Sequence, residues 1–393
     1  MKKTIISVFL LLILQSVTYA QDELINKIKD NQSNKSNFQF TLIKQLDNTT
    51  VKNQGSSGTC WSYAGNSFLE SEIYKKHNRV VDIAEIYTAR KTYEEKAKIY
   101  VLMDGFVNYG DGGSLHDVIN IYKKYGIVPQ EAYTGLINGA IKNNFSRMQQ
   151  ELKEYLDKVK TQKAPININW TFNFSSILDK YIGKVPETFI YKGKMYTPKT
   201  FANEIVDLNP NDYIELSSFK DYEYYKPFYP PLPDNWSGDR MYNVPMHELT
   251  TIIDHALSTG YTVGWAADVS EPYFSWKNGV AYVPDTNIYS ISSEEKANLF
   301  SHPKPEKIIT EEMRQEAFNN KSTTDDHAMH IVGLAKDQNG KEYYLVKNSW
   351  GVSNDFQGYL YVTKNYVQFK STAIFFNKKA IPKKLRNKLK FDV

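Results

Sequence analysis

The sequence predicts an α+β fold, helical through its first half and rich in strands in its last third. Two observations predict it. Helix-period apolar stripes recur through the first half of the 393 residues, and short strand patterns crowd the last third. Length adds a third, since about 100–200 residues per domain leaves room for more than one unit. Apolar residues are 41% and charged residues 23%, which excludes general disorder. With 29 Tyr and 20 Phe, much of the core is expected to be aromatic.

At the N-terminus, Lys2 and Lys3 precede an apolar run from Ile5 to Leu14, broken by Ser7, and Thr18-Tyr19-Ala20 follows. This is the pattern of a secretory signal. The run is about half the ~20 residues that span a bilayer, so export with cleavage near Ala20 is expected, to the periplasm or the medium, without a membrane anchor. Residues 21–50 are polar and Asn-rich and read as an extended arm. Residues 60–76 read as a helix with Trp61, Ala64, Phe68 and Ile73 on its apolar stripe. Asp111-Gly112-Gly113 is a turn, followed by a helix over 115–125 that Gly126 ends. Met148, Leu152, Tyr155 and Val159 mark another helix, and residues 189–191 and 194–196 flank a Lys192-Gly193 turn. The Tyr- and Pro-rich stretch 222–245 reads as an ordered loop whose aromatics pack on a domain surface. A helix over 248–257 leads to a strand at 261–266. Strands at 329–334 and 343–346 flank Asp337-Gln338-Asn339-Gly340, a hairpin turn, and strands at 359–363 and 372–376 follow. The expected units are a signal peptide (1–20), an arm and helical lobe (21–134), the insertion (135–245), a β-rich lobe (246–380) and a basic tail (381–393). The tail reads as a short amphipathic helix with a solvated face.

Formal charge is +4, and setting aside Lys2 and Lys3 leaves 46 basic against 44 acidic residues. That balance gives no reason to expect nucleic acid as a partner. The only cysteine is Cys60. An intramolecular disulfide framework and a cysteine-cluster zinc site are therefore excluded. A single thiol in an oxidising compartment is either buried or kept for its reactivity.

Cys60 follows the small-residue loop Gln54-Gly55-Ser56-Ser57-Gly58-Thr59 and opens a helix. A helix N-terminus stabilises an anion, so a lowered thiol pKa is expected there. Gln54 can loop back with its amide and, with the Cys60 N–H, form an oxyanion hole. A thiolate needs a base. His77, His116 and His302 have no supporting pattern. His247-Glu248 lacks a second ligand four residues on, and His255 sits inside a helix pattern. His327 precedes the strand at 329–334. If the turn centres on Asn339-Gly340, His330 faces Ser349, and His327 and Asn348 share the open end of one hairpin. An Asn amide there can orient an imidazole toward the thiol, and Trp350 can shield the bond from water. His330 reads as a core histidine.

Gln54, Cys60-Trp61, His327-Ala328 and Asn348-Ser349-Trp350-Gly351, in that order, resemble the papain-like cysteine peptidases. The 267 residues from Cys60 to His327 resemble the bleomycin hydrolase/aminopeptidase C branch, as do Asp111-Gly112-Gly113, Lys124-Tyr125-Gly126-Ile127-Val128-Pro129, Pro186-Glu187-Thr188-Phe189 and His327-Ala328-Met329. The resemblance implies a papain-like two-lobe fold, with Cys60 as nucleophile, His327 as base, Asn348 as orienter and Gln54 as oxyanion donor. It also implies that Gly112 and Gly113 pair with the substrate backbone, that no cofactor or metal is used, and that subunits form a homo-oligomer, hexameric in family members. In that branch a C-terminal arm restricts cleavage to free N-termini. This sequence carries the short tail ending Phe391-Asp392-Val393 instead. An aminopeptidase on short peptides is the leading expectation. An endopeptidase with an open cleft and an inactive binding or assembly protein are the alternatives. Only 33 residues separate Ala20 from Gln54, too few for a long inhibitory propeptide, so the insertion or an enclosing oligomer is expected to limit access.

Overall fold

The computed structural model describes residue 28, residues 35–288 and residues 290–391. The expected export signal lies outside the described residues. The chain enters through β1 (Phe40–Gln45) and then builds a helical layer from α1 (Cys60–His77), α2 (Glu85–Leu102), α3 (Leu115–Tyr125), α4 (Ser146–Lys160) and α5 (Trp170–Ile182). The hairpin β2 (Phe189–Tyr191) and β3 (Lys194–Tyr196) packs on the same layer, with Phe201 at its centre. Trp61, Phe68, Tyr93, Val118, Leu152 and Leu178 belong to one continuous core.

The second half forms one mixed sheet. Its members are β4 (Tyr213–Ser217), β5 (Pro227–Phe228), β6 (Met241–Asn243), β7 (Val263–Ala267), β8 (Phe274–Ser275), β9 (Val280–Ala281), β10 (His327–Asp337), β11 (Glu342–Lys347), β12 (Tyr359–Thr363) and β13 (Ser371–Asn377). The order is β5-β6-β4-β13-β7-β10-β11-β12-β9-β8, with β1 also on β10. Two strands share one edge of β10: residues 327–331 pair with β7, and residues 333–337 pair with β1. Helix α6 (Met246–Ser258) covers the sheet with Leu249, Ile252 and Ile253, which join Trp265, Ile331 and Val346 in a second core. Helices α7 (Glu311–Asn319) and α8 (Lys364–Lys370) complete this layer. The basic tail forms α9 (Lys383–Leu389), which buries Leu385 and Leu389 in the same core. Among the described residues, no helix is long and apolar enough to cross a membrane.

Helix α1 joins the two cores. A single apolar stripe was expected, but every residue from Cys60 to Ile73 is buried. Helices α2 and α3 pack on one side of it and β10 and β7 on the other. Its buried polar groups are satisfied locally. Glu70 accepts the Ile83 N–H at 2.8 Å, Ser62 Oγ donates to the Glu85 carbonyl at 2.7 Å, and Asn377 donates to Glu72 at 2.7 Å. Helix α3 starts at a capping box in which the Asp117 carboxylate accepts the Ser114 N–H at 2.9 Å.

The β10–β11 hairpin departs from the expected register. Asp337 pairs with Lys341 across a three-residue loop, with the Asp337 carboxylate accepting the Asn339 and Lys341 N–H groups. A bulge between Ile331 and Gly333 shifts the ladder once more. His330 therefore faces Lys347 and not Ser349. The turn chemistry came from Asp337 and a longer loop, which the Asn-Gly pair alone did not disclose.

Candidate active site

Cys60 is the first residue of α1, and its thiol has backbone hydrogen bonds with Trp61 and with Ala328, the neighbour of His327 on β10. The helical lobe thus delivers the sulfur to the start of the strand that carries the imidazole. His327 lies 2.7 Å through Nε2 from Asn348 Oδ1. That oxygen also accepts the Ser349 N–H at 2.7 Å. An atom that accepts from a backbone N–H is the amide oxygen, so Nε2 must be the donor. The neutral ring then keeps its lone pair on Nδ1. The Trp350 ring lies over the imidazole with centroids 4.5 Å apart, and Trp276 and Phe274 pack behind it.

Gln54 is fully buried. Its Oε1 accepts the Ser349 hydroxyl at 2.7 Å, its Nε2 donates to the Ser57 carbonyl, and its backbone N–H donates to the Ser349 carbonyl at 2.8 Å. Ser349 and Ser57 were not foreseen as clamps for Gln54; their small side chains carry no pattern along the chain. The Asp111 carboxylate accepts the Gly58 N–H at 2.5 Å, and its carbonyl accepts the Trp61 indole N–H at 3.1 Å. The turn before Gly112 and Gly113 is thereby tied to the loop before Cys60. Lys96, fully buried, donates to the carbonyls of Gly110 and Gly112.

The expected depression of the thiol pKa is corrected. Burial pushes Cys60 up to about 12, the Ala328 and Trp61 N–H groups offset only part of this, and the Asp234 and Asp325 carboxylates add to the rise. Burial also pushes His327 down to about 4, against the opposing hydrogen bond to Asn348. A helix N-terminus does favour the thiolate, but here the sulfur is almost wholly withdrawn from water. Burial thus favours the neutral form of each group taken singly.

The other histidines occupy structural places. His330 is buried with Nδ1 2.9 Å from Ser67 Oγ, and His255 Nδ1 lies 2.8 Å from the Ala380 carbonyl. His116 is paired with Glu215; burial opposes its charge, but the carboxylate prevails and raises it to about 9. Among the described residues, one carboxylate group has the spacing to hold a metal, namely Glu70, Asp82 and Glu85. The Lys52 ammonium already stands among them, 2.5 Å from Glu85 and 3.8 Å from Glu70, and serves as their cation.

The papain-like α+β framework, with Cys60 at the start of α1 and His327 at the start of β10, is that of a cysteine-type peptidase. The chain belongs to the Peptidase C1-like family, which it matches over residues 83–393. Among its relatives are "Aminopeptidase G" of Lactobacillus delbrueckii subsp. lactis, at 24% identity over 86% of this chain and 83% of that protein, and "Aminopeptidase C" of Streptococcus thermophilus, at 24% identity over 86% and 82%. "Cysteine proteinase 1, mitochondrial" of Saccharomyces cerevisiae matches at 23% identity over 94% of this chain and 82% of its own. These relatives place the chain in the aminopeptidase C branch. The crystal structure of PepW from Lactobacillus rhamnosis HN001 shares the fold, with a TM-score of 0.71 at 20% identity, covering 99% of this chain and 95% of that one.

Proposed function

We propose that this protein is an exported cysteine aminopeptidase that removes residues from short peptides, with Cys60, His327 and Asn348 as its catalytic set. One observation carries the catalytic part: the Cys60 thiol is bonded to the backbone beside His327, whose other ring nitrogen is held by Asn348. The names of the relatives support the choice of aminopeptidase. Export rests on the N-terminal pattern of Lys2, Lys3 and the apolar run to Leu14.

In the first half-reaction the thiol proton passes to His327 Nδ1, and sulfur attacks the scissile carbonyl carbon. The charges of thiolate and imidazolium form together, so the pair stays neutral while neither ion stands alone in the buried site. The carbonyl oxygen becomes an oxyanion received by the Cys60 N–H, which has no intrahelical acceptor in the first turn, and by the second N–H of the Gln54 amide. His327 then protonates the departing amine as the C–N bond breaks. Water, losing its proton to His327, hydrolyses the thioester and restores the thiol.

The test uses the chain without residues 1–20, in reductant, on a fluorogenic aminoacyl amide and on the same compound N-acetylated. The expected result is hydrolysis of the free amine at a kcat/KM at least tenfold above the acetylated form, and none by Cys60→Ala. Equal cleavage of both would establish the endopeptidase reading. Activity retained by Cys60→Ala would overturn the assignment of the nucleophile.

A further inference from the structure

The insertion sends one loop, residues 230–239, across the N-terminal end of α3. It is tightly fixed there. Trp236 Nε1 donates to Asp117 at 2.9 Å, Asn120 Nδ2 donates to Asp239 at 2.8 Å, and Ser114 Oγ donates to the Asp234 carbonyl at 3.3 Å. Asn235 and Asp239 close the loop on itself with reciprocal bonds of 2.9 and 3.0 Å. The fixing aims the Asp234 side chain at Gly112. A Cβ added to Gly112 would collide with both carboxylate oxygens, standing 2.7 Å from Oδ1 and closer still to Oδ2. Gly112 thus makes room for a carboxylate in the stretch expected to lie along the substrate backbone.

Asp234 is poorly paired for so fixed a group. Its Oδ1 accepts one long bond, 3.4 Å, from Asn108 Nδ2, and among the described residues it has no ion-pair partner. The nearby Lys96 ammonium is committed to the carbonyls of Gly110 and Gly112. Asp325, just before β10, accepts the Thr372 hydroxyl at 3.0 Å. Both carboxylates are close enough that their charges bear on the Cys60 sulfur and on each other. Burial pushes both carboxyls up from their ordinary values; Lys96 favours the charged form of Asp234, but among the described residues no side-chain cation bonds that carboxylate directly.

We propose that Asp234 is a specificity-determining residue that receives the α-ammonium of the substrate's first residue. This rests on the aminopeptidase reading above and gives it a physical cause. An α-amine stands roughly 2.5 Å from the carbonyl carbon of its own residue, by standard bond lengths and angle, so an anchor for it must sit close to the thiol. Asp234 is held against Gly112, beside the turn whose Asp111 is bonded to the loop before Cys60 and to Trp61, and so stands on that side of the cleft. The ammonium offers Asp234 a direct, charged donor, and an acylated or internal amide nitrogen brings no charge. A charge-assisted bond of this kind contributes about 1.5–3 kcal/mol, a factor of roughly 10–150 in kcat/KM.

The experiment compares wild type with Asp234→Asn and Asp325→Asn on the free and N-acetylated aminoacyl amides, each enzyme normalised by titrating its reactive thiol with iodoacetamide. Asp234→Asn is expected to lose about 10–150-fold in kcat/KM on the free amine, mostly through KM, with the acetylated substrate unchanged or improved. Wild-type selectivity that survives in Asp234→Asn, or collapses only in Asp325→Asn, would overturn the anchor and leave the aminopeptidase reading intact. A wild type without selectivity would overturn both. If Asp234→Asn yields no titratable thiol, Asp234→Glu decides the matter. Its retained charge should keep most of the selectivity, and loss of selectivity with a full thiol titre would contradict the proposal.

Discussion

At the scale of single residues, the proposed chemistry depends on two groups whose charged forms burial disfavours. The active form of the pair holds one proton. Below the His327 value of about 4 it holds two, and Nδ1 can no longer accept from sulfur. His327 is therefore expected to give kcat/KM an acid limb near pH 4, well below an ordinary histidine, and the Asp234 carboxyl, which burial pushes up, adds its own limb in wild type; stopped-rate pH profiles of wild type and Asp234→Asn on the free-amine substrate separate the two. A limb at about 6.5 that persists in Asp234→Asn would mean that His327 is more hydrated than its surroundings imply. The alkaline limb should follow the substrate's own amine, near pH 8, since Asp234 is proposed to read its charge. The catalytic roles belong to the proposal, but the placing of His327 against Asn348 was legible in the sequence because strand and hairpin order implied it. Asp234 was not. It lies in a Tyr- and Pro-rich stretch read as surface packing, and only the fold brings it over Gly112. The state of the thiol was also misread, because its burial is created by both lobes and is not written in the loop before it.

At the scale of elements, patterns with one buried face were read well, and patterns buried on all sides were not. Helix α3 came out at its observed bounds because Ser114, Asp117 and Gly126 mark both ends. Helix α2 was missed, since Thr88, Arg90, Thr92 and Lys96 are buried and break its apolar stripe. Strand β4 was missed for a related reason. All five of its residues are buried, so alternation vanishes. The register of β10 and β11 was misjudged by the loop and the bulge, yet His327 and Asn348 still meet because both lie at the open end. That bulge is also where β1 crosses Gly333, and a Cβ there would run into the Lys44 carbonyl oxygen. Gly333→Val is expected to destabilise the fold by about 1–3 kcal/mol, as overpacking does, read as a lowered calorimetric Tm. An unchanged Tm would show that β1 contributes little to holding β10.

At the scale of the whole molecule, two cores meet along α1, and the sulfur sits at the end of that helix where the sheet begins. The insertion does more than lengthen the chain between Cys60 and His327. Part of it, α4 and α5, thickens the helical layer, part of it, β4 and β6, extends the sheet, and one loop returns to the site. In the proposed function, nucleophile and terminal-amine recognition share one cleft. The most direct test labels the enzyme with an aminoacyl chloromethyl ketone carrying a free amine and, separately, with its N-acetylated form, and follows intact mass with time. A single adduct on Cys60 is predicted, forming at least tenfold faster from the free amine. Adducts at equal rates, or none on Cys60, would contradict the account.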